Sequence, residues 1–385
     1  MADERVIQAS ERLQAAVASA SRGLVEREAL VEMVALAAVA GEHVLVIGAP
    51  GTAKSEAVRR FAAALSGKSY EYLLGRFTEP SEIFGPVDLK KLRDGLVETQ
   101  TRDMLPEAEI AFLDEVFQGS TAILNTLLGI LNDRVFRRGH TLVACPLRVC
   151  VGASNAIPTD ETLAAFADRF LVRAFLDPLP DPRLEELLAA GWTLAHGAPT
   201  ALASVADLDL LREAALALDL GLVRGEIARG IRLLRDAGIA LSDRRIVKVQ
   251  KLVAAAAVLS GRDAPTAADL WPLVLAVPGR QEQILAKDAL RLFLEESESK
   301  ALPRAAEEAS AGPRARAARL VDVARELFDI PPPADGAPSL QRGWRLRLEA
   351  VAREIDAGFA RDQLPPELAS VRERIVEALG AAPAW

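Results

Sequence analysis

Residues 43–55 read HVLVIGAPGTAKS. His43 to Ile47 forms an apolar run rich in Val, Leu and Ile, as a strand buried on both faces reads. Gly48, Pro50 and Gly51 break that pattern, and from about Ser55 to Leu65 apolar residues return at helical spacing. A strand, a tight loop and a helix ending on Lys-Ser is the context of a phosphate-binding loop. Its backbone N–H groups point inward and the helix dipole adds positive potential. The eight loop residues Gly48, Ala49, Pro50, Gly51, Thr52, Ala53, Lys54 and Ser55 are therefore assigned to a bound ATP. Lys54 supplies charge to the β- and γ-phosphates, and the Ser55 hydroxyl ligates Mg²⁺. Ala53 stands where the generic motif has a second glycine, so ordinary helical angles are expected there.

Working outward, residues 110–115 read IAFLDE. An apolar strand delivers two carboxylates at its C-terminal end, where α/β sheets place ligands. Asp114 is the candidate to hold Mg²⁺ and Glu115 to polarise water as a general base. Adjacent strand residues face opposite ways, so the strand must end or twist there for both to meet a nucleotide. A surface-facing acidic pair at a loop is the lesser alternative, and the phosphate loop upstream weakens it further. Residues 149–155 read VCVGASN, a buried strand closing on Asn155, which can bond a γ-phosphate or simply cap the strand. In FADRF (166–170), Arg169, with Arg173 beyond it, brackets another strand-like run. An arginine at a subunit edge can stabilise charge in a neighbour; a solvated surface group or an Asp168–Arg169 pair is the plainer alternative. In LSDRR (241–245), Ser242 is a helix N-cap. Arg244 and Arg245 then sit in the first turn, unfavourable against the dipole unless a phosphate binds there.

Strand-like runs at 43–47, 110–113, 147–151 and 171–175 alternate with helical stretches, which predicts an α/β domain with a parallel sheet. A helical stretch over residues 6–40 precedes it and Gly41 suits its C-cap. DPLPDP (177–182) reads as a linker. Beyond it strand signals nearly vanish. The expected division is an α/β domain over 1–190, an all-helical lid over 191–290 and a helical C-terminal appendage over 291–385. Proline breaks punctuate the last part at 303, 313, 331–338 and 365–366.

Of the 385 residues 26% are charged and the net charge is −8, which disfavours a phosphate-backbone binder. Two cysteines and three histidines are too few for a disulfide scaffold or a zinc site; Cys145 and Cys150 read as buried apolar residues. The charged N-terminus lacks an apolar signal core, and the stretch 29–41 is too short to cross a bilayer. A cytoplasmic location is expected.

Taken together, GAPGTAKS, RFTEPSEIFGP (76–86), LPEAEIAFLDEVF (105–117), ILNTLLGILNDRVFRRG (123–139), GASN, SDRR and SGR (260–262) resemble the MoxR family of AAA+ ATPases. Within it they look like the RavA-type branch. The resemblance covers residues 20–285, and Ala before the Lys is common in that family. It implies that Asn155 is the sensor-1 residue, Arg169 the trans-acting arginine finger and Arg244 the lid's sensor-2 arginine. It further implies an insert over 84–105, a hairpin over 135–147, a hexameric ring, a von Willebrand factor A-domain partner and a protein client. The short helical tail departs from the RavA-type pattern. Two other functions stay open from sequence: a nucleic-acid-stimulated motor, disfavoured by acidity and 5% aromatic content, and a nucleotide-gated adaptor with little turnover.

Overall fold

The computed structural model describes residues 4–179, 184–194, 199–310, 313–329, 331–332, 338–359 and 364–380. Helices α1 (Glu4–Ser21) and α2 (Glu28–Ala40) lead into β1 (Val44–Gly48) and α3 (Lys54–Ala64). Then follow β2 (Ser69–Leu73), α4 (Pro80–Phe84), α5 (Leu89–Arg93), β3 (Ile110–Asp114), α6 (Thr121–Asp133), β4 (Val135–Arg138) and β5 (Thr141–Ala144). The α/β part closes with β6 (Val149–Ser154), α7 (Glu161–Ala167) and β7 (Val172–Leu176). Helix α8 (Leu184–Leu194) precedes α9 (Val205–Ala217), α10 (Gly221–Asp236), α11 (Asp243–Leu259), α12 (Pro272–Leu275) and α13 (Arg280–Ala289). Four helices end the chain: α14 (Pro303–Ser310), α15 (Pro313–Asp329), α16 (Pro338–Gly358) and α17 (Pro366–Gly380). Residues 180–182 of the expected linker and 333–337 of the proline-rich break lie outside the described residues.

Five parallel strands form the sheet in the order β2-β3-β6-β1-β7. Each interior strand is apolar on both faces because helices cover both. In β1, Val44 and Val46 enter one core with α1, α2 and α3, while Leu45 enters a second with α6 and α7. Ile110 and Phe112 of β3 divide from Ala111 and Leu113 in the same way. This period of two sets the register, since a one-residue slip would reverse every side chain. β4 and β5 pair as the expected antiparallel hairpin. The insert docks on its tip, where Thr99 N–H donates to Thr141 Oγ1 at 2.7 Å and His140 N–H to the Val97 carbonyl at 2.8 Å.

The helical stretch expected over 6–40 is two helices. The chain turns between them through Gly23 at φ 80° and Glu26 at φ 55°. Gly41 closes α2 at φ 67° and donates its N–H to the Ala38 carbonyl. β2, which carries no continuous apolar run, is an additional edge strand. Its sequence SYEYL alternates between exposed and half-buried, with Tyr72 Oη donating to Glu82 at 2.5 Å.

Among the described residues no strand follows β7. α14 packs into the larger core beside α2, whereas α15, α16 and α17 enclose a separate core around Leu320, Leu348, Ile355 and Leu368. The junction at α14 is polar. Glu32 of α2, only 5% exposed, accepts the Ala305 N–H at 2.7 Å in the first turn of α14. Burial pushes its carboxyl from an ordinary 4.5 up to about 8, against that N–H and the charge of Arg304 and with Asp322 and Glu28 nearby. A raised folded-state value means that folding retains a proton. Stability from this site is full below about 4.5 and is lost as the pH rises through about 8. The thermal midpoint should therefore fall between pH 6 and 9, by a few kcal/mol in stability at about 1.4 kcal/mol per pKa unit. Glu32→Gln, melted at both values, should largely flatten that dependence.

Candidate functional site

The C-terminal ends of β1, β3 and β6 meet at one rim of the sheet, with β6 between the other two. Gly48 ends β1 with no room for a side chain, since a Cβ there would lie 2.9 Å from the Leu176 carbonyl. Gly51 takes φ 78°. Ala49, Pro50 and Gly51 are exposed; Thr52 is buried and its hydroxyl donates to the Ala49 carbonyl at 2.8 Å. Ala53 does not have ordinary helical angles. It stands at φ 59°, ψ 26°, in the left-handed region that the generic glycine occupies at no steric cost. The turn into α3 is what requires it, and the helix begins there with no side-chain cap. Its first N–H groups are thus available to an anion.

Lys54 is buried and donates to the Gly48 and Ala49 carbonyls at 2.7 and 3.0 Å. Burial lowers its pKa, and the opposing pull comes from Asp114 and Glu115. The lysine and both carboxylates are therefore neighbours. Ser55, half-buried, begins α3 beside Lys54. β3 ends at Asp114, and Glu115 turns to φ 48°, ψ 45°. That left-handed residue is how two consecutive carboxylates come to face the same rim. Asp114 Oδ1 accepts the Glu115 N–H at 3.0 Å. Just beyond β6, exposed Asn155 donates its amide to Glu115 Oε1 at 2.7 Å. Hydroxyl and carboxylate oxygens at Ser55 and Asp114 match a hard cation that keeps several waters.

The arginines are elsewhere. Arg169 and Arg244 are half-buried and close enough that Arg169 lowers the Arg244 pKa, after desolvation as the main cause. Arg244 donates to Asn132 Oδ1 at the end of α6, and Arg169 to the Ala165 carbonyl at 3.2 Å. Arg169 precedes β7, whose first N–H bonds the His43 carbonyl before β1, and Arg244 lies near Glu42 there, whereas Lys54 lies past the end of β1. Five residues at about 3.3 Å each put roughly 15 Å between these two ends. Arg173 is only 3% exposed, with Nη2 on the Ala167 carbonyl at 2.7 Å. Arg245 is 1% exposed and bonds Asp168 and the carbonyls of Phe170, Leu171 and Ala276 at 2.6–2.8 Å. Asp168 thus pairs with Arg245, and the Asp168–Arg169 pair does not form. Ser242 caps α11 as expected.

Sequence reading missed Arg27, which is 6% exposed. Its guanidinium donates to the carbonyls of Thr52 at 2.9 Å, Glu26 at 2.7 Å and Asp177 at 2.7 Å, joining the loop to the end of β7. An arginine in LVERE shows no local signal for such a contact. Cys145 and Cys150 are buried thiols, their pKa values pushed up by desolvation to about 11 and about 12.

A family model described as the MoxR domain in the MoxR-vWA-beta-propeller ternary systems matches residues 11–213, and an AAA lid domain model matches residues 223–284. The chain belongs to the MoxR family of AAA+ ATPases. The RavA-type branch rests on the sequence motifs alone. Two uncharacterized proteins of Methanocaldococcus jannaschii are each 35% identical, over 247 and 238 residues. Those matches cover 64% and 62% of this chain and 65% and 62% of the relatives, so the chain spans less than two thirds of their lengths. A structural protein of Acidianus two-tailed virus is 29% identical over 153 residues, covering 38% of this chain and 25% of that one. A solved protein of Cytophaga hutchinsonii assigned as an ATPase is similar in fold, at a TM-score of 0.61 and 14% identity, over 77% of this chain and 98% of that one. Among the described residues no helix is long and apolar enough to cross a membrane.

Replacing Ala53 by Gly should relieve the left-handed strain. The expected gain is about 0.5–1 kcal/mol, read as a higher thermal midpoint.

Proposed function

We propose that the protein hydrolyses ATP between neighbouring copies in a ring, a hexamer by family resemblance, and uses the cycle to remodel a protein client. The observation that carries this reading is the separation of Arg169 and Arg244 from the chain's own phosphate loop. Two arginines at the far end of β1 serve a triphosphate only if it belongs to the next subunit. The loop from Gly48 to Ser55 holds the phosphates. Lys54 has three donors, two of them on loop carbonyls, which leaves one for a phosphate oxygen. Ser55 and Asp114 hold Mg²⁺, which neutralises charge on the β- and γ-phosphates. Glu115 takes the proton of the attacking water, and Asn155 orients the carboxylate that does so. The division into an α/β domain, a lid over 191–290 and a C-terminal region from 291 belongs to this reading. So does a cytoplasmic setting.

The description of the matching model supports a von Willebrand factor A-domain partner. Net charge −8 speaks against a nucleic-acid track.

Glu115→Gln should retain ATP binding and lose about 10²–10⁴-fold in turnover. Unchanged turnover would favour the adaptor reading. Arg169→Ala should lose about 10³-fold or more. A mixture of Lys54→Ala and Arg169→Ala chains, each inactive alone, should regain turnover, because one supplies a working loop and the other a working arginine. No recovery on mixing would mean that the arginine does not act across subunits.

A further inference from the structure

A cavity of about 1450 Å³ lies on the β7 side of the phosphate loop. Its inner end touches that loop twice. Arg27 lines it and bonds the Thr52 carbonyl, and Leu176 lines it and abuts Gly48. One wall is polar: Arg27, Asp177, Arg280 and Lys287, with Asp177 and Arg280 paired. The C-terminal bundle also lines it, through Leu327 of α15 and Trp344 and Arg347 of α16. The indole N–H of Trp344 is already bonded to the Leu327 carbonyl at 2.7 Å, so its ring offers a face rather than a donor.

The strand order fixes which end of a nucleotide can occupy this space. Asp114 and Glu115 end β3 and Asn155 follows β6, all on one side of β1, while the cavity lies by β7 on the other. A triphosphate in the loop with its terminal phosphate toward Glu115 must direct its nucleoside toward β7. Nucleoside-sized ligands occupy clefts of about 300–1,000 Å³, which this cavity exceeds.

Resting on the ATPase reading above, we infer that the C-terminal bundle α15–α17 is the outer wall of the nucleoside subsite and sets the rate at which ADP leaves. The bundle has its own core. Arg319 ties it to α14 by pairing with Glu307 while also pairing with Glu354 inside the bundle. A body with its own core, held at its base by an ion pair, can swing from the cleft without unfolding.

The test uses the full chain and N-methylanthraniloyl-ADP. In the parent, excitation of the four tryptophans should sensitise the probe's emission, and Trp344→Phe should remove most of that signal, Trp344 being the one that lines the cavity among the described residues. Arg319→Glu should release the probe about tenfold faster in stopped flow, while Lys54→Ala abolishes binding. If the parent binds the probe but Trp344→Phe keeps the sensitised emission and Arg319→Glu releases it within twofold of the parent, the bundle is not a wall of the site. If Arg319→Glu does not fold, the Trp344→Phe emission alone decides. A parent that fails to bind the probe overturns the nucleotide reading itself, and this inference with it.

Discussion

Arg245 lies inside the protein, and the placement of the lid follows from how its charge is met. Its guanidinium donates to Asp168 and to three backbone carbonyls, two of them just before β7. Desolvation lowers its pKa and Asp168 opposes that shift. A buried charge is tolerated only with such complete hydrogen bonding, so the first turn of α11 has one place to sit. Lys248 and Lys251 reinforce it one and two turns on, sharing the buried carboxylate of Glu42 at 2.5 and 2.9 Å. Arg244, adjacent on the helix, is carried to Arg169 as a consequence. The approach of Arg244 to Arg169 is thus a product of lid docking.

Much of the sheet was legible because its interior strands are buried on both faces. β1, β3 and β6 each contain an unbroken apolar run, and that run survives without knowledge of any partner; β7, at the other edge, is interrupted only by Arg173. β2 was not legible, since an edge strand half in water carries Tyr and Glu in alternation. The break between α1 and α2 escaped for the opposite reason: both helices are apolar enough to read as one. At the site, Lys54, Asp114, Glu115 and Asn155 could be found from local motifs attached to strand ends. Arg27 and Asn132 could not, because their contacts depend on segments distant in sequence. The roles of Arg173 and Arg245 turned on burial, which the repeated arginines in the sequence do not disclose.

Two residues next to the rim sit where side chains are uncomfortable. Ala53 and Glu115 both have left-handed backbones, at roughly 1 kcal/mol or more each. Each makes a turn on which the geometry depends: one starts α3 over the loop, and the other swings Glu115 to the side of Asp114. The Glu115–Asn155 bond and the packing of β3 against β6 hold the second turn in place.

The sheet order has a consequence for the nascent chain. β1 is central, yet both of its neighbours, β6 and β7, are encoded more than a hundred positions later. At ~5–20 residues per second, the ribosome needs several seconds to deliver them. Until then the run VLVIG has unpaired backbone on both edges and apolar side chains on both faces. Helices α1, α2 and α3 emerge early and can shelter one face, which makes the N-terminal helical pair a guard against aggregation during synthesis as well as part of the finished core.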